Sequence, residues 1–466
     1  MSHPQPQPAP AAELPTPGLL TLDQLRHDVH DGSVRTIELA LPDLLGRLKG
    51  KRYEATRFLQ STLKEGADMC AYLLAADADM TPLPGCTLAG WDTGYHDLRA
   101  MPDLTAIRRT PCQPDTVLIH ADALSHDGQP IDIAPRQMLR KQLQHLAHLG
   151  YTARVGIETE FVLYEGTARQ AHHSGYNDLT PVTWHNGDYS LDHTPRLTSF
   201  FNHLQDAMRS TGTPVEAVKT EGAPGQIEVT FPYGDPMAAA DNHTLFKRTV
   251  RYLSDIHDYL PTFMAAPQDG TGSGCHLHIS LWHNDNPAFA HAAGKPLPRV
   301  LDHTIAGLLT HLPDLAPLFA PRPNSYLRYT PHSFAPTNST WGHDNRTCAI
   351  RVTGTGPRTH LEIRLPGADT NPYLALTAAL AAMATGITDG IPSPGPCSGD
   401  AYHHHDAPPL PRDLAQALDA FRTSPLATQA LGPDVVQHYI HAAQHELDIT
   451  QQRADHNDRE RWLLRA

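Results

Sequence analysis

Apolar and polar positions change period several times along the chain, and each change marks an element. TLDQLRHDVH, residues 21–30, predicts a short helix. SVRTIELALPDLLGRLKGKRY then predicts two extended segments around a turn at Leu45-Gly46, and DTVLIHADAL a further β-rich stretch. In PRQMLRKQLQHLAHLG, apolar residues return at three- and four-residue steps and stop at Gly150, a helix. Beyond it, strands are predicted in ARVGIETEFVLYE, GQIEVTF, CHLHISLW, TCAIRVT and THLEIRLP. Helices are predicted in RLTSFFNHLQDAMRSTG, which ends at Gly212, in DNHTLFKRTVRYLSDIHDYL, and in the Ala-rich PYLALTAALAAMATGI. IPSPGPCSGDAYHHHDAPPLPRDL reads as a loop ahead of C-terminal helices. Strands also follow strands across turns, so the expected class is α+β with an antiparallel-leaning sheet. A boundary is placed near Gly128–Pro135. It gives a Pro- and Ala-rich disordered tail (1–18), a small mixed domain (19–127) and a larger domain (128–466).

Composition narrows the partners. A chain of 466 residues with 40% hydrophobic and 18% charged positions reads as soluble and globular, with room for a sizeable core. A net charge of −14 without a basic stripe argues against nucleic acid. No apolar run reaches the roughly eighteen residues of a membrane span, and the start lacks the order of a signal peptide. The six cysteines, Cys70, Cys86, Cys112, Cys275, Cys348 and Cys397, form no CxxC pair. A disulfide framework and a cysteine zinc site are therefore not expected, and a cytoplasmic location is.

Candidate chemistry lies on the predicted strands. Glu158 and Glu160 in GIETEF are two apart and share a face, where they repel unless an arginine pair or a cation intervenes. A solvated edge strand is the alternative. Glu221 and Glu228 in TEGAPGQIEVTF are separated by a turn that permits both to approach one point. His276 and His278 alternate in CHLHISLW after a glycine-rich stretch. Because a strand follows, no dinucleotide fingerprint is present, and H-x-H alone suits either a structural pair or zinc ligands. Glu362 and Arg364 share a face, as in a simple ion pair. Arg346 and Arg351 have the planar fork that suits phosphate. Taken together, an oxygen-rich set favours Mg²⁺ or Mn²⁺ over zinc. No P-loop is present. The run His403–His405 sits in a Pro-rich loop and reads as solvated.

In this order and spacing, DLLGRLKGK, GIETEF, EGAPGQIE, GSGCHLHISLW, NSYLRY, WGHDNRT and HLEIRLPGADTNPY resemble the glutamine synthetase family over nearly the whole chain after the tail. The resemblance implies an N-terminal β-grasp domain, a C-terminal catalytic domain, and active sites between subunits of a homo-oligomer, a dodecamer of two hexameric rings. It implies a ligase that uses ATP to phosphorylate the γ-carboxylate of glutamate before an amine displaces phosphate. It places Glu160, Glu221 and Glu228 at one metal, and Glu158, His276 and Glu362 at another near the ATP phosphates. It places Gly272 and His278 by the substrate. Arg328, Arg346 and Arg364 fall at glutamate and the transferring phosphoryl group, and Arg351 at the phosphate side. Asp43 corresponds to an aspartate lent to a neighbouring subunit to deprotonate the amine, and Tyr189 to a tyrosine of the amine pocket. Tyr402 falls in the loop that some bacterial members adenylylate.

Two departures matter. The family's flap glutamate, in a pattern like PGYEAP, is replaced by Phe334 in PHSFAP, and an asparagine that contacts glutamate is replaced by Thr271. Losing a carboxylate weakens a pocket for ammonium, and an aromatic ring suits a larger group. The expected activity is therefore a γ-glutamylamide ligase for an organic amine, as in the γ-glutamylpolyamine and γ-glutamylethanolamide members. The alternatives are a glutamine synthetase using ammonia, a non-catalytic scaffold, and a zinc hydrolase built on H-x-H.

Overall fold

The computed structural model describes residues 18–292, 294–452 and 458–466. The tail predicted at 1–18 lies outside the described residues except for Gly18. Two sheets organise the chain. The first contains β1 (Thr36–Pro42), β2 (Leu48–Glu54), β3 (Ala67–Cys70), β4 (Asp97–Thr110) and β5 (Gln113–Leu124), in the order β2-β1-β5-β4-β3. β1 and β5 are parallel and the other neighbours antiparallel, the arrangement of a β-grasp sheet. The predicted turn between β1 and β2 forms. Gly46 takes φ +75°, a left-handed conformation that glycine adopts without strain, and donates its N–H to Asp43 O at 3.0 Å.

The second sheet contains β6 (Thr152–Glu165), β7 (Ala217–Thr220), β8 (Gln226–Thr230), β9 (Tyr259–Thr262), β10 (Cys275–His283), β11 (Asn286–Pro287), β12 (Trp341–His343), β13 (Ile350–Thr353) and β14 (His360–Ile363). Its order is β12-β13-β14-β10-β6-β8-β7, with β9 on β6 and β11 on β10. Only β12 and β13 pair in parallel. The class is α+β, as expected.

One predicted helix is displaced. The helix read over 241–260 spans Pro236–Ile256, and residues 259–262 are a strand. Asp235 caps the start by accepting from Ala238 N at 2.9 Å, with Pro236 in the first turn. Asp258 at φ +52° breaks the far end, and Pro261 has no amide with which to continue a helix.

Helix Pro372–Asp389 is almost wholly buried, as its unbroken apolar sequence requires. It packs on helix Arg299–His311 where Gly386 meets Gly307. A Cβ on Gly386 would lie 2.1 Å from His303 O, so only glycine allows this approach. No described helix is long and apolar enough to cross a membrane.

A buried charge cluster ties the first sheet to the helices packed on it. Arg136, on helix Pro135–His148, donates to Asp241 at 3.0 and 2.9 Å, to Asp122 of β5 at 2.6 Å and to Asp103 of β4 at 2.9 Å. Tyr373 Oη also donates to Asp241, at 2.6 Å.

Candidate active site

Register brings the charged residues of the second sheet to one face. Glu158 lies opposite His276, and Glu160 opposite Glu228. His278 and Arg351 flank Glu362 on its two sides, and Lys219 flanks Glu228. After β7 the chain folds back, with Glu221 N donating to Gln226 O at 2.9 Å, so Glu221 rejoins Glu228 as the turn permits. Two groups result. Ligand atoms of Glu160, Glu221 and Glu228 lie within 4.8 Å of one another, as do those of Glu158, His278 and Glu362. His276, expected in the second group, also reaches it. Its Nδ1 is 2.7 Å from Glu158 and 3.6 Å from Glu362. The structure thus sets two histidines about Glu158, with His278 at 3.6 Å.

The two groups differ electrically. Burial works against ionisation of Glu158, but the hydrogen bond with His276 and the nearby His278 imidazole outweigh it and hold the carboxyl well below its ordinary range. Glu362 is likewise buried, yet Arg364, the histidines and Arg351 hold it down to about 2. Arg351 donates to it at 2.6 Å, and Arg364 bonds its other oxygen. In turn, the two glutamates outweigh burial at His278 and raise it above the ordinary imidazole value.

The triad is under-neutralised. Burial, then Glu221, pushes Glu160 up, although Gly274 N and Gln226 Nε2 both donate to it at 2.8 Å. Burial, Glu158 and Glu221 raise Glu228. Lys219 is set against these carboxylates, bonded to Glu221, 3.7 Å from Glu228 and 3.1 Å from Asp188, while His276 and Arg328 act on Glu160 from farther off. Three converging carboxylates with so little compensation fit a hard divalent cation, and their oxygen-only donor set fits Mg²⁺ or Mn²⁺. Sequence reading missed Lys219 and Asp188. The available signal was Lys219 standing two residues before Glu221 in extended chain.

Both groups open on one cleft of about 660 Å³, which Arg346, Arg351, Arg364, Tyr189, Gly272 and Phe334 also line. Arg346 is exposed there and makes no hydrogen bond among the described residues. Phe334 is 60% exposed, at φ +59°, with its carbonyl accepting from Arg364 Nη2 at 3.3 Å. Tyr402 Oη donates to the next flap carbonyl, Ala335 O, at 2.9 Å, so the loop that carries Tyr402 holds the flap. His403, His404 and His405 are exposed, as read.

Not every candidate faces this cleft. Arg328 is buried and donates to the Leu365 and Arg364 carbonyls, each at 3.0 Å. It lines a neighbouring cavity of about 730 Å³ that shares residues 268–272 and Ser333 with the cleft. Thr271 lines both. Asp43 is not among the cleft residues. Its carboxylate accepts from Leu45 N, Arg47 N and Arg47 Nε at 2.8–3.0 Å inside its own turn.

Comparison with known proteins gives the same architecture. The glutamine synthetase catalytic domain family matches residues 132–462. A γ-glutamylethanolamide synthetase of Streptomyces coelicolor is 40% identical over 448 residues, covering 96% of each chain. A glutamate–isopropylamine ligase of a Pseudomonas species is 31% identical over 424 residues, covering 89% of this chain and 92% of the relative. Among solved structures, a GmaS/ADP complex superposes with a TM-score of 0.80 at 26% identity, over 92% of this chain and 97% of the other. With that span of family match laid over the two acidic groups, the chain belongs to the glutamine synthetase family.

Proposed function

We propose that this chain is an ATP-dependent ligase that joins the γ-carboxylate of glutamate to an organic amine by way of γ-glutamyl phosphate. The observation that carries it is the pair of acidic groups sharing one cleft with three arginines and an aromatic flap residue. The similarity to ligases named for organic amines supports it.

Glu160, Glu221 and Glu228 would hold one divalent ion, and Glu158, Glu362 and a histidine another. Bound there, Mg²⁺ or Mn²⁺ supplies charge neutralisation for a phosphoryl group in flight. The chain's own residues do the rest. A γ-carboxylate oxygen of glutamate attacks the γ-phosphorus of ATP and expels ADP. The amine nitrogen then attacks the γ-carbonyl carbon and expels phosphate. Such a transfer needs positioning and charge more than covalent help. Arg346, exposed and uncommitted, meets the transferring group, and Arg351 and Arg364 flank Glu362 on the phosphate side. Gly272, His278 and Arg328 bound the glutamate end, and Tyr189 and Phe334 the amine end. The amine attacks only when unprotonated, which assigns a base to the step. Asp43 of a neighbouring copy takes that role in a ring-shaped oligomer, exchanging its contacts with Arg47 for the amine.

With ATP, glutamate, Mg²⁺ and a competent amine, ADP and γ-glutamyl amide are expected in equal amounts by coupled assay and mass spectrometry. ADP release without amide contradicts the reading. Phe334→Glu is expected to shift the kcat/KM ratio of ammonium to organic amine upward by about tenfold, the scale of one pocket contact. An unmoved ratio means that the flap residue does not govern the choice.

A further inference from the structure

The amine end of the cleft already contains an ammonium group, and it belongs to the protein. The segment Asn186–Tyr189 folds onto β7, with Thr220 Oγ1 donating to Gly187 O at 2.5 Å and Tyr189 N to Thr220 O at 3.3 Å. This sets Asp188 and the Tyr189 ring around Lys219. The Lys219 Nζ lies 3.1 Å from Asp188 Oδ1 and 4.4 Å from the ring centroid, while also bonding Glu221. A carboxylate and an aromatic face are the two features that hold a substrate ammonium. Here both are taken by a side chain that lines the same cleft as Phe334.

We propose that Lys219 is a specificity-determining residue that restricts the acceptor to amines with one positive charge and a neutral tail. The inference rests on the ligase reading above. A diamine brings a second ammonium into the cleft. The carboxylates lining it are Asp188, paired to Lys219, the exposed Asp269, and the two acidic groups described above. Lys219 adds like-charge repulsion in a partly buried site, where charges are weakly screened. A monoamine with an alkyl or hydroxyalkyl tail escapes that repulsion and can pack the tail against Phe334.

The test compares butylamine with 1,4-diaminobutane, which share a carbon chain and differ in the second ammonium. Initial ADP release is measured with the full-length enzyme, ATP, glutamate and Mg²⁺. Wild type is expected to prefer butylamine. Lys219→Met and Lys219→Gln are expected to raise the diamine-to-monoamine ratio of kcat/KM by about tenfold, carried mainly by the diamine's KM. Lys219→Arg, which keeps the charge, is expected to hold the wild-type ratio. The proposal is overturned if the ratio stays put in both neutral variants, if Lys219→Arg moves it equally, or if only the Mg²⁺ requirement changes. Absence of turnover with every amine in wild type overturns the ligase reading itself, a different result from an unmoved ratio.

Discussion

Glu228→Ala is expected to lower amine-dependent ATP turnover by at least about 10³-fold, on the scale of losing a preorganised charge-stabilising group. Glu228 sits where three carboxylates converge, with ligand atoms within 4.8 Å, and where burial and neighbouring glutamates already disfavour its charge. Such an arrangement is costly to the free protein. Removing one member relieves repulsion, so the metal-free variant should melt no lower than wild type. The stabilisation that Mn²⁺ or Mg²⁺ gives wild type should shrink in the variant, because mass action stabilises only what binds. Calorimetry with and without the ion, beside a turnover assay, separates these effects. Retained turnover, or an undiminished ion-induced shift, would sink the assignment of Glu228 as a ligand.

The second large effect is on stability. Arg136→Met should destabilise the protein by about 3–5 kcal/mol, the usual cost of breaking a buried ion cluster from one side. Arg136 is 1% exposed and Asp241 2%, so neither can turn to water. Without the guanidinium, Asp241, Asp122 and Asp103 face one another uncompensated where the first sheet meets helices Pro135–His148 and Pro236–Ile256. Arg140, which pairs with Asp122 at 2.7 Å, covers only part of the deficit. Burial opposes the charge of Asp241, yet Arg136 holds its carboxyl at about 2. The variant should therefore recover stability in mildly acid solution relative to wild type, as protonation relieves the orphaned acids. Denaturant unfolding at two pH values checks both statements. A loss below about 1 kcal/mol would show that the cluster does not hold the first sheet to these helices.

Much of this site was legible in sequence because side-chain alternation needs no knowledge of partners. GIETEF and CHLHISLW put Glu158 with Glu160 and His276 with His278 on shared faces whatever strands lie beside them. The turn in EGAPGQIE announced itself by Pro and Gly. Register was not legible. Glu160 meets Glu228, and Glu158 meets His276, only because β8 and β10 flank β6, and that pairing is set by packing across long stretches of chain. For the same reason the approach of His278 to Glu158 and Glu362, beside His276, was not legible. Lys219 was overlooked because the loop that carries Asp188 and Tyr189 onto it has no period to read. Arg328 lies in a short helical turn, and nothing in NSYLRY says that its guanidinium ties to the Leu365 and Arg364 carbonyls instead of facing the acidic cleft. The Arg136 cluster draws on positions 103, 122, 136 and 241, too far apart for any local pattern to connect.

By the reading proposed above, this cleft joins glutamate to an organic amine. The most direct test is the ranking of kcat/KM across ammonium, ethanolamine, putrescine, butylamine and aniline, read as ADP release with ATP, glutamate and Mg²⁺. An organic monoamine is expected to rank first, with ammonium trailing it by at least about tenfold. Ammonium in first place, or no amine-dependent ADP release at all, would contradict it.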